Sequence, residues 1–213
     1  MDLLVTLGRT LGFSFAAGVN LYATIAILGL ASRFHWVALP PQFAVFDNNW
    51  VIGAAIACYA IEFVADKVPW VDTAWDAVHT VIRPLGGAFI AVTTLGETSP
   101  GAQAAAALLG GGVAAVSHVT KASTRVVANA SPEPFSNWAL SLIEDVFVVG
   151  LGTLALAFPV IAFGVAAVLL ATIAVFSMTI VRAFRRRRER RNDRPSDGTR
   201  GGGAQLPTVN ASV

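Results

Sequence analysis

WALSLIEDVFVVGLGTLALAFPVIAFGVAAVLLATIAVFSMTIV, residues 138–181, decides the fold class. The run is more than twice the ~20 apolar residues that cross a bilayer, so it reads as two spans broken near Pro159. Only Glu144 and Asp145 interrupt it with charge. A single charged Asp at the centre of a span costs about 2.5–3.5 kcal/mol on insertion scales. Two adjacent carboxylates therefore persist there only if the protein uses or satisfies them.

The rest of the chain agrees. Hydrophobic residues make up 55% and charged residues 13%, against about 25% charged in a soluble domain. The apolar runs are long rather than alternating, which predicts an all-α integral membrane protein. The net charge of +2 conceals a split. Residues 1–181 hold six Lys/Arg and ten Asp/Glu, while nine Arg and three acids follow from Arg182. The basic excess belongs to the tail, and with no folded reading module it does not point to nucleic acid. An Arg block after a span is expected to stay in the cytoplasm and to meet anionic lipid. Two domains are expected: a helical membrane domain over 1–184 and a cytoplasmic tail over 185–213, Arg-rich and then disordered from Arg194. Cys58 is the only cysteine, so it is read as a packing residue. No removable signal peptide is read at the N-terminus. The localisation expected is the cell (inner) membrane, multi-pass.

Six apolar segments can be counted: Leu11–Ala31, Trp50–Ala65, Leu85–Leu95 (longer if Val78 onward is included), Ala102–Val119, Trp138–Phe158 and Val160–Val181. The third is short and begins at Pro84, Gly86 and Gly87, which suits a tilted, broken or re-entrant helix. Six spans with the tail inside put the N-terminus inside, with Lys67, Arg83, Lys121 and Arg125 in inner loops. A weak internal echo pairs Gly18-Val19 with Gly112-Val113, Ile61-Glu62 with Ile143-Glu144, and Arg83-Pro84 with Phe158-Pro159. If real, it makes two inverted three-helix repeats, an architecture frequent in secondary transporters. Ala102, Ala106, Gly110 and Ala114 recur every four residues, a seam for close helix packing.

Candidate site residues cluster in two blocks. Glu62 and Asp66 share a helical face, followed by Lys67 and Pro69; Asp72, Asp76, His79 and Arg83 then form one polar stripe. Two readings stand open: an interfacial helix with its acids in water, or a stripe lining a cavity that leads to Glu62. The second block is Ser117, His118, Lys121 and Arg125, then Asn137, Ser141, Glu144 and Asp145. Lys121 and Arg125 are natural partners of Glu144 and Asp145, because buried charges are normally paired. A satisfied ion-pair network that locks the bundle is thus one reading; a binding site is the other. Asp66, Asp72 and Asp76 resemble the aspartate clusters with which membrane prenyltransferases hold magnesium, but the second cluster is missing. No zinc-protease, di-iron or serine-hydrolase motif occurs, and no cofactor is expected.

These residues also carry a family likeness. Glu62-x-x-x-Asp66-Lys67-x-Pro69-x-x-Asp72-x-x-x-Asp76 and Arg83-Pro84-x-Gly86 resemble the first signature of an uncharacterised bacterial membrane family, domain of unknown function 4126. Gly111-Gly112, His118, Lys121-Ala122, Arg125, Asn137, Ser141-Leu142 and Glu144-Asp145 resemble its second block. The likeness covers Leu11 to Pro159 and implies a small multispan helical membrane protein with no assigned activity. The leading functional expectation is therefore a small transporter or permeation protein with an intramembrane acidic site. The alternatives are a magnesium-dependent membrane enzyme acting on a lipid phosphate or pyrophosphate, and a structural scaffold or assembly factor. Expected partners are membrane lipids, an ion or small-molecule substrate, and a second copy of the chain.

Overall fold

The computed structural model describes residues 3–130 and 135–192, with side chains to 188. Every described element is helical: α1 (Leu3–Val19), α2 (Leu21–Arg33), a short 3-10 helix (Pro41–Phe46), α3 (Asn49–Ala65), α4 (Pro69–Leu95), α5 (Pro100–Asn129), α6 (Phe135–Ala157) and α7 (Pro159–Asn192). Four of them, α4 to α7, are long and apolar enough to cross a membrane. The chain divides into a compact unit to Ile173 and a second unit from Ala174. The second unit is the remainder of α7, whose helix continues through Arg182 and Arg185–Arg188, all exposed. The expected disordered stretch from Arg194 lies outside the described residues.

Local chemistry sets the boundaries. Pro69, Pro100 and Pro159 stand at helix starts, where a missing N–H costs nothing. Asn48 Oδ1 accepts from the amides of Trp50 and Val51 to cap α3, and Ser99 Oγ accepts from Ala102 N to cap α5. Gly96, at φ +76°, ends α4 in the region that favours glycine.

The first apolar segment departs from expectation. Leu11–Ala31 is not one span, because Asn20 adopts an extended conformation (φ −148°, ψ 100°) and divides it. The Asn20 side chain accepts from Ala23 N at 2.9 Å and caps α2. Contacts along the two helices show the direction each takes. Gly12 abuts Ala155 and Ala162, near the α6–α7 junction. Further along α1, Ser14 donates to Gly87 O, and Gly18 O accepts from Arg83 in the middle of α4. α2 then turns back. Gly29 abuts Ile52 and Phe46, and Arg33 pairs with Asp47 at 2.8 Å. Phe13 and Leu28, on opposite sides of the break, consequently share one buried cluster with Phe43, Phe46, Ile90 and Ala155. α1 and α2 form a helical hairpin whose tip, Gly18–Asn20, lies within the bundle.

This alters the topology argument. The hairpin leaves the N-terminus of α1 beside Pro159, at the end of the bundle where α4 finishes, not at the Lys67 end that six spans require. The third segment is the second half of a 27-residue helix rather than a re-entrant piece, since α4 continues through Pro84. Arg83, Lys121 and Arg125 are buried helix residues, not loop charges. The paired landmarks of the internal echo also take different settings. Gly18 packs on α5 whereas Gly112 faces open space, and Pro84 lies inside a helix whereas Pro159 begins one.

Small residues allow the close approach at the centre. A Cβ at Gly18 would meet Ser117 Oγ and Ala114 O, and one at Gly110 would meet Ala91 and the Gly87 carbonyl. α1 is thereby buried almost completely from Gly8 to Val19, with α4, α5 and α6 around it.

Candidate functional site

Four helices bring their charges to one end of the bundle. α3 supplies Glu62, with Asp66 just beyond its end; α4 supplies Asp72, Asp76, His79 and Arg83; α5 supplies His118, Lys121 and Arg125; α6 supplies Asn137, Glu144 and Asp145. The stripe on α4 faces inward and not into water. Asp72, Asp76, His79 and Arg83 are all buried. Trp70 is exposed, while Trp75 stacks on His79 with ring centroids 4.6 Å apart.

Three cations organise the cluster. Arg83, fully buried, donates to Glu62 Oε1 at 2.8 Å and to His118 Nδ1 at 2.8 Å, and lies 3.2 Å from Asp76 Oδ1. Lys121 Nζ stands 3.3 Å from both Glu62 Oε1 and Asp66 Oδ2 and 3.5 Å from Glu144 Oε2. Arg125 donates to Asp66 Oδ2 at 2.8 Å, to Glu144 Oε2 at 2.6 Å, to the Asp66 carbonyl at 2.9 Å and to Asn137 Oδ1 at 3.2 Å. The expected pairing of Lys121 and Arg125 with Glu144 is present. Asp145 stays out of these pairs, because adjacent helical residues diverge by about 100°.

The contacts of the two histidines assign roles to their ring nitrogens, and those of His118 hold it neutral. An arginine N–H can only donate, so His118 Nδ1 accepts, and its Nε2–H faces Thr80 Oγ1 at 3.2 Å. His79 Nδ1–H donates to the Trp75 carbonyl at 2.7 Å. The Tyr22 hydroxyl has no other acceptor among the described residues and donates to His79 Nε2 at 2.9 Å. Lys67, in the α3–α4 connection, donates to the Phe63 carbonyl and sits 3.1 Å over that ring. Partial burial holds its ammonium below the usual lysine pKa, a shift opposed by Asp145 and Asp66.

Charge bookkeeping shows what this network lacks. Six carboxylates (Glu62, Asp66, Asp72, Asp76, Glu144, Asp145) share the cluster with four cations (Lys67, Arg83, Lys121, Arg125); of these, Glu144, Asp145 and Lys67 are only partly buried, and the four buried carboxylates face three buried cations, which leaves one negative charge. Glu62 is paired with Arg83, and Asp66 and Glu144 with Lys121 and Arg125. The other two buried carboxylates, Asp72 and Asp76, each lie beside an arginine that also serves another acid. Asp72 Oδ1 is 4.0 Å from Arg125 Nε, and Asp76 Oδ1 meets Arg83 without hydrogen-bond geometry. Both aspartates line a cleft of about 140 Å³ between α4 and α5, with Thr73, Ala77, Thr80, Ala122, Arg125 and Val126.

Magnesium binding by Asp66, Asp72 and Asp76 is not what the geometry favours. Asp66 turns to Lys121 and Arg125, and among the described residues no three His, Cys, Asp or Glu side chains converge as a metal set. Sequence reasoning missed the hairpin tip as part of the site. Gly18 O accepts from Arg83 at 3.4 Å, and Asn129 donates to Asp72 Oδ2 at 2.8 Å. In the sequence, Asn20, Tyr22 and Thr24 stand out as polar residues of the first segment, with Asn20 equally suited to an ordinary interhelical hydrogen bond.

No curated protein and no solved structure matches the chain. Residues 7–179 match the family described as Domain of unknown function (DUF4126), nearly the whole helical body and every side chain of the charged cluster, and the chain belongs to that family.

Proposed function

We propose that the protein is a small membrane transporter or permeation protein whose buried acidic cluster receives a cation or proton. One observation carries this reading: the buried part of the network holds one more carboxylate than cations, and Asp72 and Asp76, each with an oxygen that has no hydrogen-bond donor, line a cleft. A network built only to lock helices has no use for uncompensated buried charge, since each such ion costs several kcal/mol to desolvate. The hairpin tip supports the same reading. Broken helices that end within the bundle present free backbone groups to midplane sites in secondary transporters, and here the tip meets the cluster through Gly18 O and Tyr22.

The bundle would lie in the cell membrane as a multi-pass protein, with the Lys67 connection and the Arg-rich tail toward the cytoplasm by the positive-inside rule. With the hairpin returning to the end where it began, the N-terminus would face the opposite side. The test is ion-gradient-driven flux in vesicles reconstituted with purified protein. Flux above that of empty vesicles, abolished by Glu144→Gln in a protein that still elutes as a folded species, is the expected result. Wild-type vesicles as tight as empty ones, under both proton and alkali-cation gradients, would refute the proposal.

A further inference from the structure

We infer that the α4–α5 cleft is a binding position for a monovalent alkali cation, held between Asp72 Oδ1 and Asp76 Oδ1. This rests on the transport reading of the same cluster and names its ligand. Asp72 is fully buried, and its Oδ1 has no hydrogen-bond donor although the residue lines the cleft. Asp76 is 5% exposed, and its Oδ1 likewise lacks a donor. The two stand one turn apart on α4, roughly 5–6 Å between Cβ atoms, a gap that a cation with its waters bridges. Thr80 Oγ1, which also lines the cleft, adds a third hard oxygen.

Size and charge select the ligand. The cleft has room for several waters, so it suits a partly hydrated ion, whereas a bare proton needs no room. No aromatic ring lines it, so it offers no cage for a quaternary ammonium. The donors are hard oxygens, which select alkali and alkaline-earth ions over soft metals. Arg83 and Arg125 lie 3.2 and 4.0 Å from the two open oxygens, and that repulsion bears twice as heavily on a divalent ion. The buried surplus of one negative charge is met by a monovalent ion without overturning the arginine pairs.

The test is thermal unfolding of the purified full chain in detergent at constant ionic strength, with sodium, potassium or choline as the cation. Binding to the folded state alone raises the transition temperature. Sodium or potassium is expected to raise it by several degrees over choline, and the doubly substituted Asp72→Asn/Asp76→Asn protein is expected to lose that rise. Ala122→Leu, which narrows the cleft and leaves both carboxylates in place, is expected to weaken the rise and covers the case of a double variant that does not fold. Identical curves in sodium, potassium and choline would overturn the inference. So would an unchanged rise in the variants, or stabilisation by magnesium where sodium and potassium have none. A protein that carries protons yet shows no alkali effect would overturn the inference and leave the transport reading standing. A protein that binds sodium at this cleft but supports no flux would do the reverse.

Discussion

Asp72 and Glu62 are both buried carboxylates on the same network, yet replacing them should have opposite consequences. Glu62 Oε1 is shared by Arg83 and Lys121, so Glu62→Gln leaves buried cations undercompensated. Breaking a buried pair in this way costs about 3–5 kcal/mol, read as a large fall in unfolding temperature. Asp72→Asn removes surplus charge instead, and its unfolding temperature is expected to hold or rise. His118→Ala takes away the acceptor of an Arg83 N–H, for a loss of about 1–3 kcal/mol; His118→Gln, which keeps an acceptor, should restore part of it. The spacing of these residues was legible because period-four polar positions in an apolar helix have one physical use, a shared inward face. Their partner assignments were not. Asp145 neighbours Glu144 in the chain but stays out of the Lys121 and Arg125 pairs, and only the rotation of α6 decides that.

At the scale of elements, the glycines divide by what surrounds them. Gly18 and Gly112 look alike in sequence and pair in the internal echo. A Cβ at Gly18 would collide with Ser117 and the Ala114 backbone, whereas at Gly112 nothing lies within 4 Å. Gly18→Ala is therefore expected to push the hairpin tip off α5 and reduce both stability and flux. Gly112→Ala should stabilise by about 0.5–1 kcal/mol through helix propensity alone, and unfolding of the two variants side by side checks this. The break at Asn20 was missed because an apolar stretch of spanning length reads as one helix when no Pro interrupts it. Its cause is local: an Asn that caps the next helix while Gly12 and Gly18 let the chain descend between α4, α5 and α6. The reverse error at Leu85–Leu95 has a physical cause too. Charge made the first half of α4 look like surface, although that charge is buried against three other helices.

For the whole molecule, the helical membrane class followed from composition and run length, but the route of the chain did not. Hydropathy counts apolar residues and is blind to a hairpin that enters and leaves on one side. The re-entrant arrangement can be checked by thiol labelling in a Cys58→Ala background. Cysteines placed at Leu4 and at Thr98 are expected to react with an impermeant reagent from the same side, and one at Val68 from the other. Leu4 reacting together with Val68 would mean that the first segment crosses.

The most direct measurement pairs flux with unfolding temperature for Asp72→Asn/Asp76→Asn in reconstituted and detergent-purified protein. If the surplus charge of the cluster is held for a cargo, the doubly substituted protein will be at least as stable as the wild type when both are unfolded in choline, and will carry no flux. A variant that melts earlier while transporting normally would show that the two carboxylates serve only to hold the helices together.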